Sequence, residues 1–258
     1  MRLSSRRPLV LAARDEAEAA YVATMRRTFR PLRRQVARLL DSLEGLQKAD
    51  AELDLLSELR LTRMGNDIAD GAREGAKTAA GVMVKAENTW FATTGATAFR
   101  DFKPLDLSEM TGMHTAELDK FGGYQGIGDT ATEGINGTVA RYLADPERDF
   151  RALTAELGQW LSDYKAAQIG MTETTRLSAC EGTLVGRRLG AVMAEIDAVG
   201  DRRVCTVCEM GNGQQVPIEE LTNTIPRHVS CRCSWGLILP DGVNEADVNL
   251  AGLPAGGD

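Results

Sequence analysis

The stretch from Cys205 to Cys233 contains four of the chain's five cysteines and one of its two histidines. It reads C-x2-C at Cys205 and Cys208, and then H-x2-C-x-C at His228, Cys231 and Cys233. A C-x2-C turn places two thiolates where both can bind one tetrahedral metal ion. The second group supplies three more donors. The spacing therefore predicts a structural zinc site with Cys205, Cys208 and Cys231 as ligands, and with His228 or Cys233 in the fourth place.

A closed shell of four such ligands stabilises a fold and leaves no open position for catalysis. A bound metal ion is also what a unit of two or three short strands needs when its apolar core is small. The alternatives are reduced cysteines without metal, or disulfides formed outside the cell. The apolar run after Arg6 and Arg7 is too short for an export signal, and a reducing cytosol favours metal over disulfides. Cys180, far from the cluster, is expected to be a small buried hydrophobic side chain.

The sequence lacks the motifs of common enzymes. It contains no H-E-x-x-H, no G-x-S-x-G and no Walker A loop. A zinc deaminase needs P-C-x-x-C, whereas Val204 precedes Cys205. Residues 126–131 formally match the dinucleotide motif G-x-G-x-x-A, but no predicted strand precedes them. His114 is expected to be a surface or core residue. We therefore expect no catalytic and no cofactor-binding residue, and a protein that is not an enzyme.

The N-terminal region predicts a long helix with two different faces. Apolar residues recur at alternating spacings of three and four, which is typical of a helix packed against another helix. These residues are Val22, Met25, Phe29, Leu32, Val36, Leu39, Leu43 and Leu46. The arginines off this stripe are Arg26, Arg27, Arg30, Arg33, Arg34 and Arg38. Pro31 should kink this helix or begin a second one.

Charge is distributed unevenly along the chain. Residues 1–40 contain ten arginines and three acidic residues, which gives a net charge of +7. Because the whole chain has a net charge of −7, the other residues together carry −14. The basic face is either an arm that binds DNA or an acidic partner, or a solvated helix face.

A second helix is predicted over residues 51–85, with Leu53, Leu56, Leu59 and Ile68 in the core. Two helices are predicted from their start signals, a capping box at residues 130–133 and Asp145-Pro146. A last helix is predicted over residues 166–188. The glycine-rich residues 122–128 predict a loop inside a hinge that spans residues 88–128. The helix that follows Asp145-Pro146 should bury Phe150, Leu153, Leu157, Trp160 and Tyr164. Gly182, Gly186 and Gly190 should let a neighbour approach the last helix closely.

Alternating apolar residues predict strands over residues 192–198, 214–218 and 233–239, with Val192, Ala194, Ile196 and Ala198 facing inward. The predicted fold class is α+β and mostly α, in which long helices and a helical hairpin precede a small antiparallel sheet stapled by the Cys/His cluster. The predicted domains are residues 1–128, residues 129–240 and a flexible tail, 241–258.

Two stretches of the sequence resemble a known family. The C-terminal one is Asp201-Arg-Arg-Val-Cys205-Thr-Val-Cys208, then Gly213 and Val216-Pro217, then Pro226-Arg-His228-Val-Ser-Cys231-Arg-Cys233. The other is the helix "IGMTETTRLSACEG", with Thr172-Glu173-Thr174 and Arg176. Together they resemble the phage head-morphogenesis family, the Mu F-like minor head proteins, over about residues 115–239. Val229 stands where the family usually has proline, which changes a turn but removes no candidate ligand.

The resemblance implies a non-enzymatic structural role. Family members join the phage head in few copies, associate with the portal, and assist head assembly and DNA packaging or delivery. This chain is then expected in the virion, at the head interior or portal vertex, and in the host cytoplasm during assembly. Expected partners are the portal protein, the major capsid or scaffolding protein, and packaged DNA bound by the six arginines. Glu173 and Arg176, three apart on one helix, are expected to be structural.

A different class of function remains open. The Cys/His unit and the basic helix are also typical of a nucleic-acid-binding zinc protein that is not tied to a capsid. The −14 balance outside residues 1–40 argues against a broad surface for duplex DNA.

Overall fold

The computed structural model describes residues 2–4, 8–43, 61–93, 102–144, 150–198 and 204–239. Long helices dominate these residues, and a small antiparallel sheet accompanies the Cys/His cluster, which confirms the mostly-α, α+β fold class. None of the described helices has the length and apolarity needed to cross a membrane. The elements are β1 (Arg2–Ser4), α1 (Pro8–Leu43), α2 (Leu61–Thr93), α3 (Leu107–Asp119), α4 (Gly123–Ala144), α5 (Phe150–Trp160), α6 (Asp163–Leu189), β2 (Met193–Asp197), α7 (Thr206–Met210), β3 (Gln215–Pro217), a 3-10 turn (Ile218–Glu220), α8 (Leu221–Thr224) and β4 (Ser234–Ile238).

The chain divides into two compact units. The sheet unit comprises Met1–Tyr21, Ala76–Glu117 and Gly170–Asp258, and the helical unit comprises Val22–Gly75 and Leu118–Ile169. Each unit combines segments that are distant in sequence, so this division differs from the predicted boundary at residue 128. The predicted tail, residues 241–258, lies outside the described residues.

Helix α1 buries the predicted heptad stripe as far as the structure describes it. The buried members are Val22, Met25, Phe29, Leu32 and Val36. The side chains of Leu39 and Leu43, and all of Leu46, lie outside the description. Pro31 lies inside α1, so the alternative in which a second helix begins at Pro31 is wrong. Five of the six arginines are exposed and Arg33 is half-exposed, as the stripe predicts.

Helix α2 covers part of the predicted second helix and continues beyond it. It begins at Leu61 and ends at Thr93, and Ile68 is fully buried as expected. The other predicted core positions, Leu53, Leu56 and Leu59, lie outside the described residues. Much of the buried side of α2 consists of small residues, which are Ala69, Ala72, Ala76, Ala79 and Ala80.

The predicted glycine-rich loop is wrong, because Gly123 begins helix α4 and residues 123–128 are helical. Gly122, in the turn before the helix, and Gly123, at its first position, adopt positive φ angles of 87° and 66°. Within the helix, a Cβ atom on Gly128 would lie 2.2 Å from the carbonyl oxygen of Gly65 on α2. This glycine therefore allows two helices of the helical unit to approach closely.

Two other helix predictions also need correction. Thr130 lies inside α4 and donates its hydroxyl hydrogen to the carbonyl of Gly126 (2.7 Å), so it is not an N-cap. The Asp145-Pro146 start and the Phe150 side chain lie outside the description. Of the remaining side chains predicted inward, Leu153 and Leu157 are buried and Trp160 is half-buried. The prediction is wrong for Tyr164, which is 71% exposed and lies on α6, beyond the end of α5 at Trp160.

The sheet has four strands in the order β1-β4-β2-β3, and all three pairings are antiparallel. Strands β2, β3 and β4 confirm the predicted ones, whereas β1 was not expected from sequence. Ala194, Ile196 and Ala198 are buried as predicted, but Val192 precedes β2 and is 72% exposed.

The sheet packs on α6. A Cβ atom on Gly182 would lie 2.6 Å from the Trp235 ring, and one on Gly186 would lie 2.6 Å from Ile218. Gly190 directly follows the last residue of α6 and has a positive φ of 69°. No described atom lies within 4 Å of its Cβ position, so this glycine serves the helix end and not a close approach.

Candidate metal centre

The first two cysteines are presented by the short helix α7. Cys205 is its N-cap residue, with extended backbone angles, and its Sγ accepts a hydrogen bond from the Cys208 amide at 3.5 Å. The Cys205 carbonyl accepts from the Glu209 amide at 2.9 Å. This turn directs both sulfur atoms toward the same side, as the C-x2-C spacing predicts.

The other three donors lie on the ligand loop, which we define as residues His228–Cys233. The loop follows α8 and leads directly into β4. The Cys231 amide donates to the His228 carbonyl at 3.1 Å, and Ser230 between them has a φ of 63°. This left-handed conformation is uncommon for a residue other than glycine. It reverses the chain tightly enough to bring His228 and Cys231 back toward α7.

The five predicted donors lie together in two overlapping groups. Cys205, Cys208 and His228 form one group, and Cys208, Cys231 and Cys233 form the other, with donor atoms within 4.8 Å of one another in each. The His228 Nε2 atom lies 3.1 Å from Cys205 Sγ and 3.0 Å from Cys208 Sγ. Cys208 Sγ lies 3.8 Å from Cys231 Sγ. Cys208 belongs to both groups, and the cluster could hold a metal ion.

A hydrogen bond to a backbone carbonyl determines which ring nitrogen of His228 carries the hydrogen. The other nitrogen faces the sulfur atoms. His228 Nδ1 lies 2.6 Å from the Val229 carbonyl oxygen. A carbonyl only accepts, so Nδ1 carries the hydrogen and Nε2 is the atom directed at the thiols. Metal-binding histidines commonly use one nitrogen for the ion while the other donates to a carbonyl or carboxylate.

Burial and hydrogen bonds shift the pKa values of the four cysteine thiols in different directions. The thiol of Cys233 donates to Cys231 and holds the pKa of Cys231 at about 5, although burial opposes this shift. Burial raises the pKa of Cys208 to about 12, and the hydrogen bond to Cys231 raises the pKa of Cys233. The hydrogen bond from the Cys208 amide lowers the pKa of Cys205. Several neighbouring sulfurs can be ionised together when a cation neutralises them.

Helix α6 contacts the ligand loop through two threonines. Thr172 Oγ1 accepts a hydrogen bond from the Ser230 amide at 2.9 Å. Thr175 Oγ1 donates to the Cys231 carbonyl at 2.5 Å, and accepts from Arg14 Nη2 at 2.9 Å. Hence the helix with the Thr-Glu-Thr segment and the loop with three cysteine or histidine donors are in direct contact.

A second polar cluster is buried in the sheet unit. His114 Nε2 lies 3.2 Å from Glu173 Oε2, and Arg176 Nε donates to the same oxygen at 3.1 Å. His114 is fully buried, and Glu173 is 4% exposed. Burial raises the pKa of Glu173, but His114 and Arg176 together outweigh this effect and lower it. Glu173 and Arg176, three residues apart on α6, thus pair with each other in the interior of the sheet unit.

The sequence alone did not identify the role of His114. A signal for its burial was present, because Met110, His114 and Leu118 recur every four residues on α3 and all three are buried. The identity of its partner was not readable, since Glu173 is 59 residues away. Cys180 is fully buried as predicted, and burial raises its pKa.

We compared the chain with protein-family models, with curated proteins and with solved structures, and none of the three comparisons gave a match.

Proposed function

We propose that this protein is a minor head protein of a tailed phage, associated with the portal or inner shell, whose sheet unit is stabilised by one structural zinc ion. In this role it assists head assembly and the packaging or delivery of DNA, and performs no catalysis. It acts in the host cytoplasm during assembly and remains in the virion.

One observation carries the proposal. The two stretches that resemble the Mu F-like family are separate in sequence, yet they touch through hydrogen bonds between Thr172 and Ser230 and between Thr175 and Cys231. A chance similarity of two unconnected segments would not require them to contact each other. Their contact supports treating them as parts of one folded module, as the resemblance implies.

The donor set fits zinc better than other common ions. Four thiols and one imidazole converge, and none of the donors in the two groups is a carboxylate. Zinc takes sulfur and nitrogen ligands in tetrahedral structural sites, whereas calcium and magnesium take oxygen. Cys205, Cys208 and Cys231 would hold the ion, with His228 or Cys233 completing the shell. The ion would join the short helix α7 to the ligand loop.

The exposed arginine face of α1 supports a role in binding an acidic partner. Asp163 pairs with Arg33 at 3.1 Å and approaches Arg26 at 3.8 Å, so a single carboxylate faces two of the six arginines. We propose that Arg27, Arg30, Arg34 and Arg38 contact packaged DNA. The portal protein and the major capsid or scaffolding protein would be reached through other surfaces.

The test is to find the protein in particles and to count it. Purified phage particles that carry this gene should contain the chain in a small, reproducible ratio to the portal protein, measured by quantitative mass spectrometry. Elemental analysis of the isolated protein should show one zinc per chain. A chain that is abundant in infected cells but absent from purified particles would contradict the head-protein proposal, whatever its zinc content.

A further inference from the structure

We propose that Thr172 and Thr175 are positioning residues for the metal centre: from one face of α6 they hold the ligand loop so that its donors meet those of α7. The inference rests on the metal site proposed above. It concerns side chains that bind no ion themselves.

The direction of the hydrogen bonds at Thr175 is determined by chemistry. The Arg14 guanidinium can only donate, so the Thr175 oxygen accepts from Arg14 Nη2 (2.9 Å). The single hydroxyl hydrogen is then available for the Cys231 carbonyl, at 2.5 Å. Thr175 is 1% exposed and Cys231 is fully buried. Neither group has bulk water as an alternative partner, so removing the hydroxyl leaves a buried carbonyl without its donor.

Thr172 acts on the residue just before Cys231. Its Oγ1 accepts from the Ser230 amide at 2.9 Å, and Ser230 has the left-handed φ of 63°. Thr172 and Thr175 are three residues apart on α6 and are neighbours on its surface. The two hydrogen bonds therefore bracket Ser230 and Cys231, and they restrict the direction in which the Cys231 side chain leaves the backbone.

Such a restriction affects metal binding because the loop supplies three of the five donors. A loop free to rotate about Ser230 must be ordered when the ion binds, which weakens binding. Removing groups that orient metal ligands typically lowers affinity by about 10–100-fold. Arg14, which donates to the same threonine, brings α1 into this arrangement within the sheet unit.

The experiment measures zinc affinity by competition with a chromophoric chelator, and the visible spectrum of Co²⁺ in the same site. We expect Thr175→Val to weaken zinc binding by about 10–100-fold and to change the Co²⁺ spectrum. Thr175→Ser keeps the hydroxyl and should bind zinc as the wild type does.

The chain offers two matched controls on the same helix. Thr174 is equally buried, and its Oγ1 has no hydrogen-bond partner among the described residues. Thr183 donates to the carbonyls of Ala179 (3.1 Å) and Ile218 (3.3 Å), away from the ligand loop. Thr174→Val should leave the zinc affinity unchanged and should not lower the stability, because it removes a buried hydroxyl that has no partner among the described residues. Thr183→Val should lower the melting temperature and leave the zinc affinity unchanged.

Each failure has a distinct reading. Wild-type protein that binds zinc, with Thr175→Val binding it equally well, overturns the positioning role and leaves the metal site standing. Thr183→Val that weakens zinc as much as Thr175→Val also overturns it, since the effect would then reflect general stability. Wild-type protein that binds no zinc removes the metal site and this inference together. If Thr175→Val does not fold, Thr172→Val is measured against the same criterion.

Discussion

The sheet unit and the helical unit bury different kinds of side chain. The buried acidic, basic and histidine side chains of the described chain all lie in the sheet unit, and they are Glu87, His114, Glu173, Arg176 and Glu181. In the helical unit the buried polar residues among those described are Thr24 and Thr138. The sheet unit therefore has acidic, basic and histidine side chains in its interior, three of which pair as His114, Glu173 and Arg176, whereas the described interior of the helical unit is almost wholly apolar.

The difference predicts two kinds of sensitivity to mutation. A buried ion or hydrogen-bonding group is costly when its partner is removed, because it cannot regain water. An apolar interior depends instead on close packing, and tolerates changes that keep volume and shape. Substitutions in the sheet unit should thus cost most where they break a partnership, and those in the helical unit where they add or remove volume.

The largest expected effect is that of removing Cys208, which belongs to both donor groups. Cys208→Ser should abolish tight zinc binding and destabilise the sheet unit by several kcal/mol, because structural zinc contributes directly to folding, with about 10–16 kcal/mol of binding free energy in small zinc domains. Hydrogen exchange should accelerate over residues 204–239. Strong chelation of the wild-type protein should have the same result.

Cys180→Ala is the matched control, because Cys180 is buried in the same unit but lies outside both donor groups. It should keep the zinc and weaken only the apolar packing around α6. Equal protection of residues 204–239 in Cys208→Ser and in the wild type would contradict a structural metal.

The second effect concerns Glu173, which accepts from both His114 and Arg176. Glu173→Ala should lower the free energy of unfolding by about 3–5 kcal/mol, since it leaves a buried guanidinium without this carboxylate. Glu219→Ala is the control: Glu219 pairs with Arg187 at the surface, and its removal should cost about 0–1 kcal/mol. Urea unfolding of both variants measures the difference.

The same carboxylate predicts a pH dependence. The pKa of Glu173 is lowered from its ordinary value of 4.5 in the folded protein. The ionised Glu173 carboxylate therefore stabilises the fold at pH values above its ordinary pKa. This stabilisation disappears as the pH falls through the lower pKa of the folded protein. Glu173→Gln should flatten the decline of stability below about pH 4.5. If the loss of stability below about pH 4.5 is the same in Glu173→Gln as in the wild type, other carboxylates cause that loss.

How much of this was readable from sequence depends on how far apart the partners lie. The Cys205–Cys208 spacing and the α1 stripe are local patterns, and both predicted the observed geometry. The sequence wrongly predicts a loop at Gly128, because glycine is used both in flexible turns and at close helix contacts, and its neighbour Gly65 is distant in the chain. Strand β1 has three residues, and it becomes a strand only by pairing with β4 near the other end of the described chain.

The next prediction tests the close helix contact in the helical unit. Gly128→Ala places a Cβ atom 2.2 Å from a backbone oxygen of Gly65, which must shift, and should cost about 1–3 kcal/mol or more. Gly158 on α5 has no described atom within 4 Å of its Cβ position. Gly158→Ala should therefore stabilise the protein by about 0.5–1 kcal/mol through helix propensity. Equal effects in the two variants would contradict a packing role for Gly128.

The smallest effect on stability, and the most specific one on binding, is expected at the arginine face of the helical unit. Replacing Arg27, Arg30, Arg34 and Arg38 by Gln should change the free energy of unfolding by no more than about 0.5 kcal/mol per substitution, because exposed side chains contribute little to stability. If these arginines neutralise DNA phosphates, the quadruple variant should bind a duplex fragment more weakly, whatever its sequence. The slope of log K against log salt should become shallower by about 1 for each arginine–phosphate pair removed.

Asp163→Asn is the opposing control: it releases Arg33 from a 3.1 Å ion pair and should strengthen DNA binding slightly at low salt. A quadruple variant with unchanged affinity and unchanged salt slope would identify these four arginines as a solvated face.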